Sequence, residues 1–188
     1  MASLGKRLEN KRRKRLEIIT NALRLFQERG YEQVSTADIA TASHIAKKTF
    51  YQYFPTKDAV VFDREGALLA QLVAFLQTRP APVWPAYVAW VRRWAQQDTH
   101  ASVAHVLFAN PELVRATPAL QTRLLVMWAG YERVLAQYLR RLDLCPDPVT
   151  AQLLAGRLVT VFRVAVDQNL AVTGVLDRLT QKTFPPVV

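Results

Sequence analysis

At 188 residues the chain has the length of one large domain or two small ones, and 51% apolar with 21% charged residues is a globular composition. Ten prolines and six glycines exclude collagen-like and low-complexity architectures, and a single cysteine, Cys145, excludes a disulfide framework or a multi-thiolate metal site. Of the formal charge of +10, residues 1–57 carry +7 through 12 basic and 5 acidic side chains, which points to a polyanionic partner at the N-terminus.

Clean apolar–polar alternation is scarce, so the chain reads as all-α. Leu16, Ile19, Ala22, Leu23 and Phe26 predict a helix over about 11–29; Gly30 stops it and Tyr31 packs back on the last turn. Ser35-Thr36-Ala37-Asp38 is a capping box that opens a short helix over 36–42. A turn at Ser43-His44-Ile45 leads to a second short helix over 46–52. Pro55-Thr56 interrupts before a longer helix expected over 57–78. Beyond Pro80-Ala81-Pro82, helices are expected over 83–97 and 101–109, followed by a loop with Pro111 and Pro118. Leu120, Leu124, Trp128, Tyr131, Leu135, Leu139 and Leu142 form one stripe of a helix over 118–142. The stretch 149–172 is apolar almost all round, a last short helix is expected over 175–183, and 184–188 is a tail. No signal peptide is recognisable, and the longest apolar stretch, Leu153 to Val166, is interrupted by Arg157 and Arg163 and falls short of the roughly 18 residues of a membrane span. A cytoplasmic, nucleoid-associated protein without membrane partners is expected.

Two short helices joined by a tight turn, behind an amphipathic helix, make a helix-turn-helix. Ile39, Ala40, Ile45 and Phe50, with Phe26, would lock the pair. The positions left over in the second helix, Lys47, Lys48, Thr49, Tyr51, Gln52 and Tyr53, are cationic, polar and aromatic, suited to phosphates and base edges of duplex DNA together. The basic run ahead of this unit suits a phosphate-binding arm.

The segment Ile18 to Tyr31, with Ser35 to Ala40 and Lys47 to Lys57, resembles the TetR family of bacterial transcriptional regulators. The stretch Lys47 to Asp63 is also similar to an actinobacterial branch that includes mycofactocin-type regulators. The resemblance implies a homodimer with a DNA-binding domain, here 1–56, and a ligand-binding and dimerisation domain, here 57–188. It gives Tyr51 and Tyr53 the aromatic positions that meet the DNA backbone. Lys57, at the start of the next helix, is expected to attract a phosphate, and Thr36 is a further phosphate candidate. Lys47, Lys48, Thr49 and Gln52 are the candidates for base readout, lysine suiting guanine and glutamine adenine. Three positions depart from the family pattern. His44 replaces a turn glycine, Ala46 a capping serine or threonine, and Lys48 another glycine.

The C-terminal part is rich in aromatics at helical spacing. From these the expected effector pocket is Phe75, Tyr87, Trp90, His105, Phe108, Trp128, Tyr131, Phe162 and Asn169, an apolar cavity with a few polar groups. Arg163 is expected to pair with Asp167, and Arg157 with an acid at an interface. The all-round apolar helix 149–172 needs a second partner surface, most simply a second copy of the chain. No cofactor is expected. The reading is a repressor that leaves a palindromic operator when a small, largely apolar effector binds, with the helix 57–78 linking the two sites. An activator or ligand-independent regulator shares this architecture. A small-molecule enzyme finds no support in His44, His100 and His105, which lack metal-ligand spacing, and a structural DNA-coating protein leaves the aromatic region unexplained.

Overall fold

A computed structural model describes residues 2–97 and 103–180, with residues 2–4, Gln97 and His105 described by backbone alone. Helices account for the regular structure, and no strand occurs among the described residues. The chain divides into two compact units, one comprising residues 1–63 and 108–121, the other 64–107 and 122–188. The compact units therefore part at 63/64 rather than at 56/57, and the first recovers a later segment of the chain.

In the first unit, α1 (Ala2–Arg29) is longer than expected and carries the whole basic run in helical form. Its buried face is Ile18, Ile19, Ala22, Leu25 and Phe26, whereas Leu16, assigned to that stripe from the sequence, is half exposed. Gly30 ends the helix at φ 83°, and the Tyr31 ring packs 5.0 Å from that of Phe26. The capping box forms as expected ahead of α2 (Thr36–Ala42), with Ser35 accepting from the Asp38 amide and Asp38 accepting from the Ser35 amide. These bonds, the Ser35 hydroxyl first, hold the Asp38 carboxyl below its ordinary range.

The turn into α3 (Lys47–Tyr53) places His44 at φ 52°, the left-handed geometry a glycine adopts more easily. Ala46 caps α3 without a side-chain hydrogen bond. The expected helix over 57–78 does not form as one piece. A 3-10 turn, Asp58–Val60, and a further turn precede α4 (Glu65–Gln77). Val60, Val61 and Phe62 are consecutive and all buried, which no single helix face permits. The Ala109 amide donates to the Val61 carbonyl at 3.2 Å, and the rings of Phe62 and Phe108 meet edge-on at 5.1 Å. The expected loop between Pro111 and Pro118 contains a short helix, α7 (Pro111–Ala116), capped by Asn110 with proline in its first turn.

The second unit holds α4, α5 (Val83–Gln97), α6 (Val103–Leu107), most of α8 (Pro118–Arg141), α9 (Pro148–Asp167) and α10 (Val172–Thr180). Leu124, Trp128, Tyr131, Leu135 and Leu139 form the buried stripe of α8. Asp147 caps α9 ahead of Pro148. With 20 residues and a mean hydropathy of 1.5, α9 is by length and composition alone capable of crossing a membrane, contrary to the shorter stretch read from the sequence. Its buried residues and its charges are those of a bundle helix. Ala155, Leu158, Val159 and Phe162 are buried, Arg157 stacks on the Trp84 ring at 3.7 Å, and Arg163 approaches Glu132 at 3.9 Å. Arg163 thus pairs with Glu132 instead of Asp167. Burial raises the Asp167 carboxyl above its usual range while Arg163 only partly offsets this.

Candidate nucleic-acid interface

The helix-turn-helix is held from beneath by apolar side chains. Ile39 and Ala40 of α2 and Phe50 of α3 are buried with Phe26 of α1, while Ile45 in the turn is partly exposed. The turn closes through backbone bonds from Ser43 to Ile39, from His44 to Thr41 and from Ile45 to Ala40, at 3.0–3.1 Å. Ser43 is buried and accepts from the Asn21 amide at 3.3 Å, a tie between α1 and the turn. Anchored at Phe50, α3 leaves Lys47, Lys48, Tyr51 and Gln52 exposed, with Thr49 and Tyr53 half-buried. Of the predicted readout residues, Lys47, Lys48 and Gln52 are thus open to solvent and Thr49 is partly covered. Since Tyr51 and Tyr53 lie on different sides of the helix, one faces out and the other is partly covered.

Thr36 and Tyr51 meet through their hydroxyls at 3.1 Å, joining the first turn of α2 to the middle of α3. Whichever hydroxyl accepts in this pair keeps its own proton free to donate to a phosphate oxygen. Lys57 behaves differently from expectation. Its ammonium donates to the Tyr31 carbonyl at 2.8 Å and stands 4.0 Å from the centre of the Tyr31 ring, so it ties the chain after α3 to the end of α1. The 3-10 turn that follows Lys57 is too short to supply an aligned set of free amides. The Tyr31 hydroxyl is pushed up to about 12, by burial first and then by Asp58 and Glu32.

The contribution missed from sequence is Arg15. Its Nε donates to Asp63 Oδ1 and its Nη1 to the Tyr53 carbonyl, both at 2.6 Å, and its guanidinium lies 4.2 Å from the centre of the Phe54 ring. A cation on a last-turn carbonyl complements the negative end of α3. One side chain thereby braces the C-terminal end of α3, which stops at Phe54 ahead of Pro55. Within the run Lys11 to Arg15, nothing local distinguishes it from its neighbours.

The residues predicted for an effector pocket do not converge. Phe108 belongs to the first unit, against Phe62. In the second unit, Phe75, Tyr87, Trp90 and Phe162 form one aromatic cluster, joined by Trp84 and Trp94, which the prediction omitted. Beside it opens a cleft of about 690 Å³ whose lining includes Phe75, Trp90, Gln71, Arg93 and Trp94. Only Phe75 and Trp90 of the predicted set line it. Tyr87 is buried and donates to the Leu158 carbonyl at 2.6 Å, and Phe162 is buried against Trp94 at 5.4 Å. Trp128 and Tyr131 pair edge-on on α8, the indole N–H of Trp128 finding no acceptor among the described residues and the Tyr131 hydroxyl donating to the Glu65 carbonyl. Asn169 is exposed at φ 51° just past α9, a helix-end position rather than a pocket wall. The side chain of His105 lies outside the described residues.

Residues 18–63 match the model of the N-terminal region of bacterial regulatory proteins of the tetR family, which spans the end of α1 through the buried turn before α4. The chain is 26% identical over 163 residues to a protein of Mycobacterium tuberculosis described as the mycofactocin biosynthesis transcriptional regulator MftR, covering 82% of this chain and 81% of that one. It is 30% identical over 143 residues to the HTH-type transcriptional regulator TcmR of Streptomyces glaucescens, covering 73% of this chain and 57% of that one. Among solved structures, reduced NemR of Escherichia coli matches with 16% identity and a TM-score of 0.46, covering 93% of this chain and all of that one. The matched segment coincides with the three-helix unit, its capping box and its exposed basic face. Over residues 18–63 the chain carries the N-terminal region of bacterial regulatory proteins of the tetR family.

Proposed function

We propose that this regulator is a homodimeric repressor that binds a roughly palindromic operator and leaves it when a small, largely apolar effector binds. The observation that carries the DNA half is the exposed face of α3, where Lys47, Lys48, Tyr51 and Gln52 stand outward from the buried Phe50. Lys47, Lys48, Thr49 and Gln52 read base edges, while Thr36, Tyr51 and Tyr53 meet phosphates. Lys57 acts indirectly, by bracing the segment that follows α3. The segment up to the break before α4 is the DNA-binding domain; the remainder binds effector and dimerises.

Dimerisation has its own support. Leu125 and Val126 on α8, and Val149 and Leu153 on α9, are large apolar side chains at 62–71% exposure, and a second copy of the chain covers them. Two recognition helices related by a two-fold axis then require half-sites about 34 Å apart or a multiple of it. The cleft beside Phe75 and Trp90, with Arg93 and Gln71 as its polar groups, is the effector site. Coupling does not run along one rigid helix over 57–78, since that helix is interrupted. An effector that favours a dimer geometry with the wrong half-site spacing shifts the population away from DNA.

Selection of duplexes from a random library by the full chain, followed by gel shifts on the enriched sequence, tests the proposal. A discrete two-half-site sequence, bound in preference to its scrambled version and released by a lipophilic compound, is the expected result. No enrichment would remove the DNA reading, and enrichment without release by any compound that binds the protein would remove the effector half.

A further inference from the structure

The cleft beside the aromatic cluster is built from positions that recur at three- and four-residue spacing, 71, 74, 75 and 78 at the end of α4 and 86, 89, 90 and 93 on α5. Its ring walls are held from behind. Phe75 and Trp90 stand 5.4 Å apart at an interplanar angle of 36°, and Trp94 meets the buried Phe162 edge-on at 5.4 Å. Trp94 also reaches α4, its indole N–H donating to Gln71 Oε1 at 2.6 Å. Trp90 and Trp94 are nonetheless only partly buried, and much of the remaining lining is short, with Ala74, Ala86 and Ala89. The polar groups are unbalanced. Arg93 is exposed without a carboxylate partner among the described residues, and no acidic side chain is among the described lining residues. Gln71, its oxygen engaged by Trp94, keeps two amide protons to donate, while Thr78 spends its proton on the Phe75 carbonyl at 2.7 Å. Donors are in excess beside flat apolar faces.

Resting on the reading of this cleft as the effector site, we infer that its ligand is an aromatic carboxylate, a fused-ring body bearing one acid group. Against Phe75, Trp90 and Trp94 a planar ring gains offset and edge contacts that a saturated chain of equal area does not. The carboxylate takes the planar fork of Arg93, which matches two oxygens at once, and the Gln71 amide donates beside it. A neutral analogue forgoes the charge, and a cationic one meets Arg93 as a like charge. Arg93 is therefore the residue that sets specificity for an acid. The volume of about 690 Å³ accommodates a body of roughly two or three fused rings.

Calorimetry on the full chain tests this with 2-naphthoate, anthracene-2-carboxylate, their neutral amides and the saturated acid decanoate. The wild type is compared with Arg93→Gln, Arg93→Lys and Ala89→Leu, the last filling the cleft; all three lie at exposed positions of α5, and circular dichroism checks that each variant keeps its helices. The aromatic acids bind about ten-fold tighter than their amides, a factor set by a charge-assisted pair that solvent partly screens. They bind more tightly than decanoate as well. Arg93→Gln brings the acids down to the level of the amides and leaves the amides unchanged, Arg93→Lys recovers part of the difference, and Ala89→Leu weakens acids and amides alike. Equal affinity of acid and amide for the wild type, or a preference that survives Arg93→Gln, would overturn the inference. Decanoate binding as tightly as the aromatic acids overturns it too. In each of these cases sensitivity to Ala89→Leu leaves the cleft standing as the effector site. If no compound binds, or none responds to Ala89→Leu, the effector-site reading itself fails, and the ligand class falls with it.

Discussion

Removing the side chain of Arg15 tests whether the recognition helix is held in place from its C-terminal end. Arg15→Ala deletes two charge-assisted hydrogen bonds, to Asp63 and to the Tyr53 carbonyl, and the stacking on Phe54. It also leaves Asp63, only 17% exposed, facing α1 without its cation. Because the arginine itself is 38% exposed, solvent screens part of the attraction. Taking about 1 kcal/mol for each hydrogen bond and about 0.5 kcal/mol for the ring contact, the loss is about 2.5 kcal/mol. For a chain of this size that lowers the thermal midpoint by about 5–10 °C. A seven-residue helix has no stability of its own, so the amides of Phe50 to Phe54 lose hydrogen-exchange protection first. Arg15→Lys keeps the charge but not the planar fork, and recovers less than half of the loss. Combining Arg15→Ala with Asp63→Asn costs less than the sum of the two, by about 1 kcal/mol. If Arg15→Ala melts within about 1 °C of the wild type and protection of Phe50 to Phe54 is unchanged, the bracing argument is wrong.

Three further outcomes follow from the same structure. Gln52→Ala relaxes preference at one base pair of the enriched duplex, whereas Tyr51→Phe weakens enriched and scrambled duplexes alike; fluorescence anisotropy on both duplexes separates the two, and equal losses for Gln52→Ala would contradict its readout role. Leu153→Glu places a charge on the exposed apolar surface of α9 and shifts sedimentation towards monomer, with unchanged helical content; a dimer that tolerates it is not built there. The raised Tyr31 hydroxyl favours the protonated folded state, so its contribution is complete below the unfolded value of 10.0 and is lost as pH climbs through about 12. Tyr31→Phe removes this share of the alkaline drop, to which the raised Tyr87 and Tyr131 hydroxyls also contribute, and a denaturation series on variant and wild type between those pH values reads the difference.

The elements legible in the sequence are those whose causes are local. The Ser35–Asp38 box, Gly30 with Tyr31 folding back, and the buried Phe50 each depend on residues within a few positions, and each forms as expected. The absent cap at Ala46 and the left-handed His44 were likewise visible. The break before α4 was not, because Val60-Val61-Phe62 is compatible with a helix until Phe108 and Ala109 arrive from some forty-five residues away to take its ring and carbonyl. The same distance hides Arg15, whose partners Tyr53 and Asp63 are 38 and 48 positions on. Aromatic spacing in the second unit correctly marked side chains that pack, yet could not tell a wall of the cleft from the core behind it. Tyr87 and Trp90 are three residues apart on one helix, and only the second borders the opening.

The basic excess at the N-terminus divides by partner rather than by position. Arg15 and Lys57 are held by groups of the same unit, where short bonds and partial burial leave little room for salt to act. Lys6, Arg7, Lys11, Arg13, Lys47 and Lys48 have no ion-pair partner among the described residues, and their attraction for a polyanion is screened over a Debye length of about 8 Å at 0.15 M salt. On the proposed DNA-binding role, the first group sets whether α3 is held in place, and the second how tightly it is held to DNA. Raising salt should weaken the complex long before it loosens the three-helix unit. A protein that lost its fold and its DNA together on the same salt titration would show that the two groups of cations had been wrongly separated.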